Sequence, residues 1–153
     1  MMILEYRLWK DDESYVPLYH YEDIQLEQIL ARRECEFFVK DGVTYKQLSS
    51  SVEGSIVAIY VEQYEKELLI SKKTDKNTDL RLEIRELNPY KKNPLLEEKY
   101  LSSHMEVLLY IGSVYTYLNQ LEWERDSAEL DEDQLCYILY VTPTGYKWEG
   151  DFN

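Results

Sequence analysis

Ser102–Arg125 reads SSHMEVLLYIGSVYTYLNQLEWER, and the way this stretch folds decides the fold. Val107, Ile111, Val114, Leu118 and Leu121 recur at steps of four, three, four and three, the spacing of one helical face. Ser103 with Glu106 has the form of a capping box, in which each side chain satisfies the other residue's free backbone N–H. A helix over 102–125 would span roughly 36 Å. Tyr110, Tyr115 and Tyr117 widen its apolar stripe, so a sheet or a second copy of the chain has to cover it. The rival reading is a hairpin about Gly112-Ser113, with Ile111 facing Val114, Tyr110 facing Tyr115 and Leu108 facing Tyr117. The cap and the seam out to Leu121 have no place in that hairpin, and the helix is preferred.

Upstream the periodicity is mostly that of strands. Met2–Trp9 alternates, as does Cys35–Lys40. Lys10–Val16 reads as a charged connector closed by Pro17, and residues 21–33 as a helix with acids early and Arg32-Arg33 late. Asp41-Gly42 is the strongest local turn signal. A three-residue loop matching Val39 with Val43 keeps apolar side chains together and is preferred over a two-residue loop pairing Lys40 with Val43. Glu53-Gly54 marks a further turn. Ser55–Tyr64 is apolar on both faces, as expected of a central strand. Leu68–Ser71 and Leu80–Ile84 read as strands around a polar loop, so that Cys35–Leu87 resembles an antiparallel meander of about five strands. NPYKKNP at Asn88–Pro94 is a linker, and CYILYV at Cys136–Val141 a second central strand. No internal repeat stands out. The expected fold is α+β: a single domain over 1–153, with a mostly antiparallel sheet of about six to eight strands packed by helices 21–33 and 102–125.

The net charge of −13 is unevenly spread. Residues 95–153 carry 12 acids against 3 bases, residues 1–94 only 18 against 14. A field of that sign opposes direct binding to nucleic acid or to anionic membranes. The N-terminus has acids and no apolar core of a signal peptide, no run is long and apolar enough to cross a membrane, and a cytoplasmic location is the expectation. Cys35 and Cys136 stand far apart and read as buried thiols; with His20 and His104 they make no ligand-pair spacing for zinc. There is no phosphate-binding glycine loop, no GxSxG elbow and no calcium loop, and no cofactor is indicated.

The densest polar feature is Glu122, Glu124, Asp126, Glu129, Asp131, Glu132 and Asp133, with Trp123 among them. Together they read as a docking surface for a basic protein, in which the acids steer and aromatic rings anchor. The expected function is a non-enzymatic interaction module of immunity, inhibitor or regulatory type. The alternatives are a small-ligand-binding protein or enzyme with a pocket between sheet and helix, a phosphate-mimicking inhibitor of a DNA-binding protein, and a homodimer built on the wide apolar stripe.

Overall fold

Residues 102–125 form a helix and two strands, not one helix. The computed structural model describes residues 1–64 and 79–150. Helix α2 covers His104–Ile111; Ser103 caps it by accepting the Glu106 amide hydrogen, while the Glu106 carboxylate turns to Ser102 instead of closing the box. Gly112 ends it, and the chain continues as β8 (Tyr115–Leu118) and β9 (Leu121–Asp131). The steps of four and three were satisfied by accident. Val107 and Ile111 are buried helix residues, Val114 is exposed, and Leu118 meets the core from a strand. The run VYTYL is aromatic and β-branched and alternates with period two, which suits a pleated strand better than a helix. The turn of this hairpin lies at Asn119-Gln120, not at Gly112-Ser113.

The remaining elements are β1 (Ile3–Trp9), β2 (Tyr15–Tyr21), α1 (Leu26–Arg33), β3 (Phe37–Lys40), β4 (Val43–Glu53), β5 (Ile56–Gln63), β6 (Arg81–Glu86), β7 (Leu95–Tyr100) and β10 (Cys136–Lys147). They correct the expectation of a mostly antiparallel sheet of six to eight strands: the sheet is mixed and, among the described residues, has ten. Its order is β2-β1-β5-β4-β3-β9-β10-β6-β7, with β8 pairing the start of β9. Parallel contacts join β1 to β5, β6 to β10 and β3 to β9. The five-strand meander is likewise corrected, because β6 leaves β5 and pairs with β10 and β7. The expected strand at Leu68–Ser71 lies outside the described residues. The charged connector is shorter than expected, since Tyr15 and Val16 already belong to β2.

The chain is a duplicated ββαβββ unit. β4 and β9 are each 11 residues and begin 78 positions apart, at Val43 and Leu121. At the same spacing Leu4, Glu5 and Arg7 of β1 answer to Leu82, Glu83 and Arg85 of β6. Both first hairpins have a bulge at this arginine: Arg7 pairs with Pro17, and Arg85 with Leu95. Both long hairpins bulge again, placing Ser49 opposite Tyr60 and Ser127 opposite Tyr140. Even a loop hydrogen bond is repeated, from the Gln47 amide to the Glu36 carbonyl (2.8 Å) and from Arg125 to Val114 (2.7 Å). Few side chains are kept, so the repeat is one of pairing and pleat more than of letters.

Alternation along the strands sorts the side chains. One face, with Leu4, Ile59, Leu82, Tyr137 and Leu139, is fully buried beneath α1 and α2. On the other face the duplicated Glu–Arg pairs close at 2.7 Å (Glu5–Arg7) and 2.8 Å (Glu83–Arg85). Arg7 is held further by Glu53 and the Tyr60 hydroxyl, under the ring of Tyr15 at 4.4 Å. Both β3–β4 and β8–β9 are two-residue hairpins, which overturns the preferred three-residue loop: Lys40 pairs with Val43, and Val39 with Thr44. The reason is twist. Asp41 and Gly42 take φ of 52° and 75°, and Asn119 and Gln120 take 50° and 68°, the all-positive turn that matches twisted strands. Phe38 and Tyr45 then stack on the core side, which compensates for the apolar pairs of the other register.

Gly42→Val should destabilise by about 1–2 kcal/mol through backbone strain alone, because no heavy atom lies within 4 Å of the added Cβ. Gln120→Gly should stabilise by about 1 kcal/mol at the equivalent position. Urea unfolding of both variants checks the pair, and equal midpoints would reject the shared turn geometry.

Candidate functional site

The acidic stretch lies on β9 and the turn that follows, and strand geometry divides it three ways. Glu122 and Glu124 stand opposite Tyr117 and Tyr115 of β8, on the face away from the helices. Glu122 accepts hydrogen bonds from the Tyr117 hydroxyl and from Thr144 Oγ1 (2.8 Å). The bond to Glu122 pushes the Tyr117 phenol up to about 12. Tyr146 meets the Tyr117 ring edge-on at 6.5 Å. Asp126 is the extra residue of the β9 bulge and is exposed. Trp123 points the other way and packs against the core.

Glu129 and Asp131 are 1% and 2% exposed, so in this fold neither is open to a partner. They sit opposite Ile138 and Cys136 of β10 on the face away from the helices, and Asp131 also accepts the Gln134 amide hydrogen at 3.2 Å.

Glu132 and Asp133 bind the first unit. β9 runs parallel to β3, with Phe37, Phe38 and Val39 opposite Glu129, Leu130 and Asp131. Where that contact ends, the Glu132 carboxylate accepts from the Tyr21 hydroxyl (2.6 Å), Lys40 Nζ (3.1 Å) and Arg32 Nη1 (3.3 Å). Asp133 accepts both amides of the Asp41-Gly42 turn, at 2.8 and 2.9 Å. Arg125 completes the contact by gripping Glu36 at 2.7 Å. Burial pushes the Glu132 carboxyl up, but the Tyr21 hydrogen bond and the charges of Arg32 and Lys40 outweigh it and hold the carboxyl below the usual glutamate range.

Sequence reasoning missed Tyr21, Arg32 and Lys40, which come from three elements of the first unit. It also missed Tyr115, Tyr117 and Tyr146 as neighbours of the acids, having placed the first two on a helix. A signal for both was available in the LEYR and LEIR tetrapeptides, whose spacing aligns the two units and makes β8 a strand.

The second unit leaves a groove of about 470 Å³ between β7, α2 and β8, lined by Leu96, Lys99, Tyr110, Thr116 and Leu118. Its charged pair, Lys99 and Glu97, is closed at 3.0 Å. Cys35 and Cys136 lie on opposite faces of the sheet, and burial pushes both thiols up, that of Cys136 to about 12, so neither is a thiolate at neutral pH. Among the described residues no group of three His, Cys, Asp or Glu side chains is placed to hold a metal, and no helix is long and apolar enough to cross a membrane. No family model, no curated protein and no solved structure matches the chain.

Glu132→Gln should cost about 2 kcal/mol, because it leaves the buried Arg32 without its carboxylate. The lowered carboxyl contributes stability that is complete above the unfolded-state glutamate value and is lost as pH falls through its folded-state value. Chemical unfolding at pH 7 and pH 3 should therefore show a smaller difference in the variant than in the parent. An equal difference would mean that the clamp carries no linkage.

Proposed function

We propose that the protein is a non-enzymatic interaction module that takes a basic region of another protein on the tyrosine–carboxylate face of its second unit. The observation that carries this reading is that Tyr115, Tyr117 and Tyr146, 50%, 36% and 49% exposed, share one sheet face with Glu122 and Glu124. Tyrosine offers a large ring and a hydroxyl at little entropic cost, the usual make-up of a protein-binding surface. A folded chain gains nothing by leaving three such rings in water, whereas a partner would bury them.

Of the acidic residues read from the sequence, Glu122, Glu124 and Asp126 remain for steering, next to Trp123 in the wall behind them. Glu129, Asp131, Glu132 and Asp133 support the scaffold. Because the acids are split among three environments, they do not form the single row that phosphate mimicry needs, and a basic protein surface is the partner favoured. An inhibitor or immunity-type role fits a small acidic chain that works by covering another protein's basic site. The cytoplasm is the proposed compartment, given two unpaired buried thiols.

The test is capture from lysate at low salt with three baits: the parent, a Glu122→Gln/Glu124→Gln/Asp126→Asn variant, and a control that removes Asp11, Asp12 and Glu13. A captured protein should be retained by the control and lost by the first variant, with its association rate lowered about tenfold. Tyr117→Ala should instead speed dissociation about tenfold or more. Equal capture by all three baits would sink the steering role of this face.

A further inference from the structure

The contact between the two units is one-sided. The first unit supplies the edge of β3 and the pocket of Tyr21, Arg32 and Lys40; the second supplies β9 and its following turn. The reciprocal surfaces are present, and among the described residues they take no strand partner. β8 is the counterpart of β3, and among the described residues it pairs with β9 alone. β4 is the counterpart of β9, and beyond Lys46 only β5 pairs with it among the described residues. The groove at Lys99, Tyr110 and Leu118 lies at the positions that answer to Tyr21, Arg32 and Lys40. A contact that uses two different surfaces and leaves one copy of each open can repeat between molecules.

We infer that a second copy of the chain lays the edge of its β4 along β8, head to tail, repeating the contact that β9 makes with β3. The register carries over: Tyr115 faces Ser51, Thr116 faces Val52 and Tyr117 faces Glu53, and the Gly54-Ser55 turn enters the groove.

Side-chain exposure supports this occupant. Leu130 is 2% exposed in the internal contact, while Val52, its counterpart, is 67% exposed. A valine at that exposure, on a strand edge that no described residue pairs with, is the feature that sheet proteins normally remove. The polarity of the two surfaces has changed together. The acceptor exchanges Tyr21, Arg32 and Lys40 for Lys99, Tyr110 and Leu118, so that two cations become one, and the donor exchanges the Glu132-Asp133 turn for Gly54-Ser55. The one cation in this groove, Lys99, is already held by Glu97 at 3.0 Å, so no acid from the incoming turn is required. Lacking the carboxylate clamp, the contact between copies is weaker than the internal one and depends on concentration. It goes beyond the partner reading, because an edge-to-edge contact leaves the face of Tyr115, Tyr117 and Glu122 open.

Mixing two single-cysteine variants, Val52→Cys and Thr116→Cys, tests it. Directly opposed residues of paired strands lie within disulfide reach, and the native thiols are buried. A disulfide-linked dimer should form when the two variants are mixed and not with either alone, and a Val52→Cys with Tyr117→Cys mixture, with side chains on opposite faces, should give none. No dimer on mixing, or equal yields from one variant alone, overturns the proposal. Light scattering of the unmodified chain gives a readout independent of variant folding. The average mass should rise above 18.4 kDa with concentration, and a mass fixed at that value up to millimolar protein overturns the contact. Neither readout touches Glu122, Glu124 or Asp126, so failure here leaves the partner reading standing, and the reverse also holds.

Discussion

The parallel seam between β3 and β9 is the constraint on which the rest of the molecule depends. Each ββαβββ unit is too small to close its own sheet. It ends in an open strand edge on one side, and one helix covers only part of its apolar face. Joining the units through three residue pairs removes two open edges and brings α1 beside α2 over a common core. Three backbone pairs are a short seam, and the carboxylates of Glu132 and Asp133 pin its end to side chains and amides that no ladder could reach.

This accounts for part of the acidity of the last third of the chain. A run of seven acids in twelve residues looks like one surface only while the stretch is read as letters. Once β9 is a strand, neighbouring residues face opposite ways, the bulge at Asp126 turns the alternation once more, and the final two acids leave the strand altogether. Charge density along a sequence becomes charge density on a surface only when the backbone keeps the residues on one side, and a bulged strand does not.

Several strands were legible: Ile3–Trp9 and Phe37–Lys40 from alternation, Ile56–Gln63 and Cys136–Val141 from runs apolar on both faces, and the cap at Ser103 marked a true helix start. What was not legible has physical causes. In Ser102–Arg125 the apolar residues satisfy two periods at once, and only the preference of Tyr and Thr for pleated backbone separates them. At Asp41-Gly42 the hydrophobic match pointed to one register and the twist of the flanking strands to the other, and twist prevailed. The parallel contacts left no local signature, because they join residues more than fifty positions apart. The duplication was hidden for a related reason: pairing, bulges and turns depend on backbone geometry, which tolerates Phe37 becoming Tyr115 or Gly42 becoming Gln120. The tyrosine–carboxylate face was visible only in pieces, with Glu122 recognised in the acidic run but its strand partners assigned to a helix.

Loop length decides why the two units are not equivalent in the finished molecule. The turn after β4 has two residues, Gly54 and Ser55, whereas the turn after β9 has four, Glu132 to Leu135. The longer turn extends past the end of the ladder and carries its carboxylates into the cation pair of the first unit; the shorter one ends flush with its strands. Arg32 and Lys40 are tolerable so close to the core only because those carboxylates arrive, and at the matching places in the second unit, where no acid arrives, the chain has Tyr110 and Leu118. Two additional residues in one turn thus fix which of two similar edges is sealed by carboxylates from the other unit and which, among the described residues, is left beside a groove whose one cation, Lys99, is already held by its neighbour Glu97.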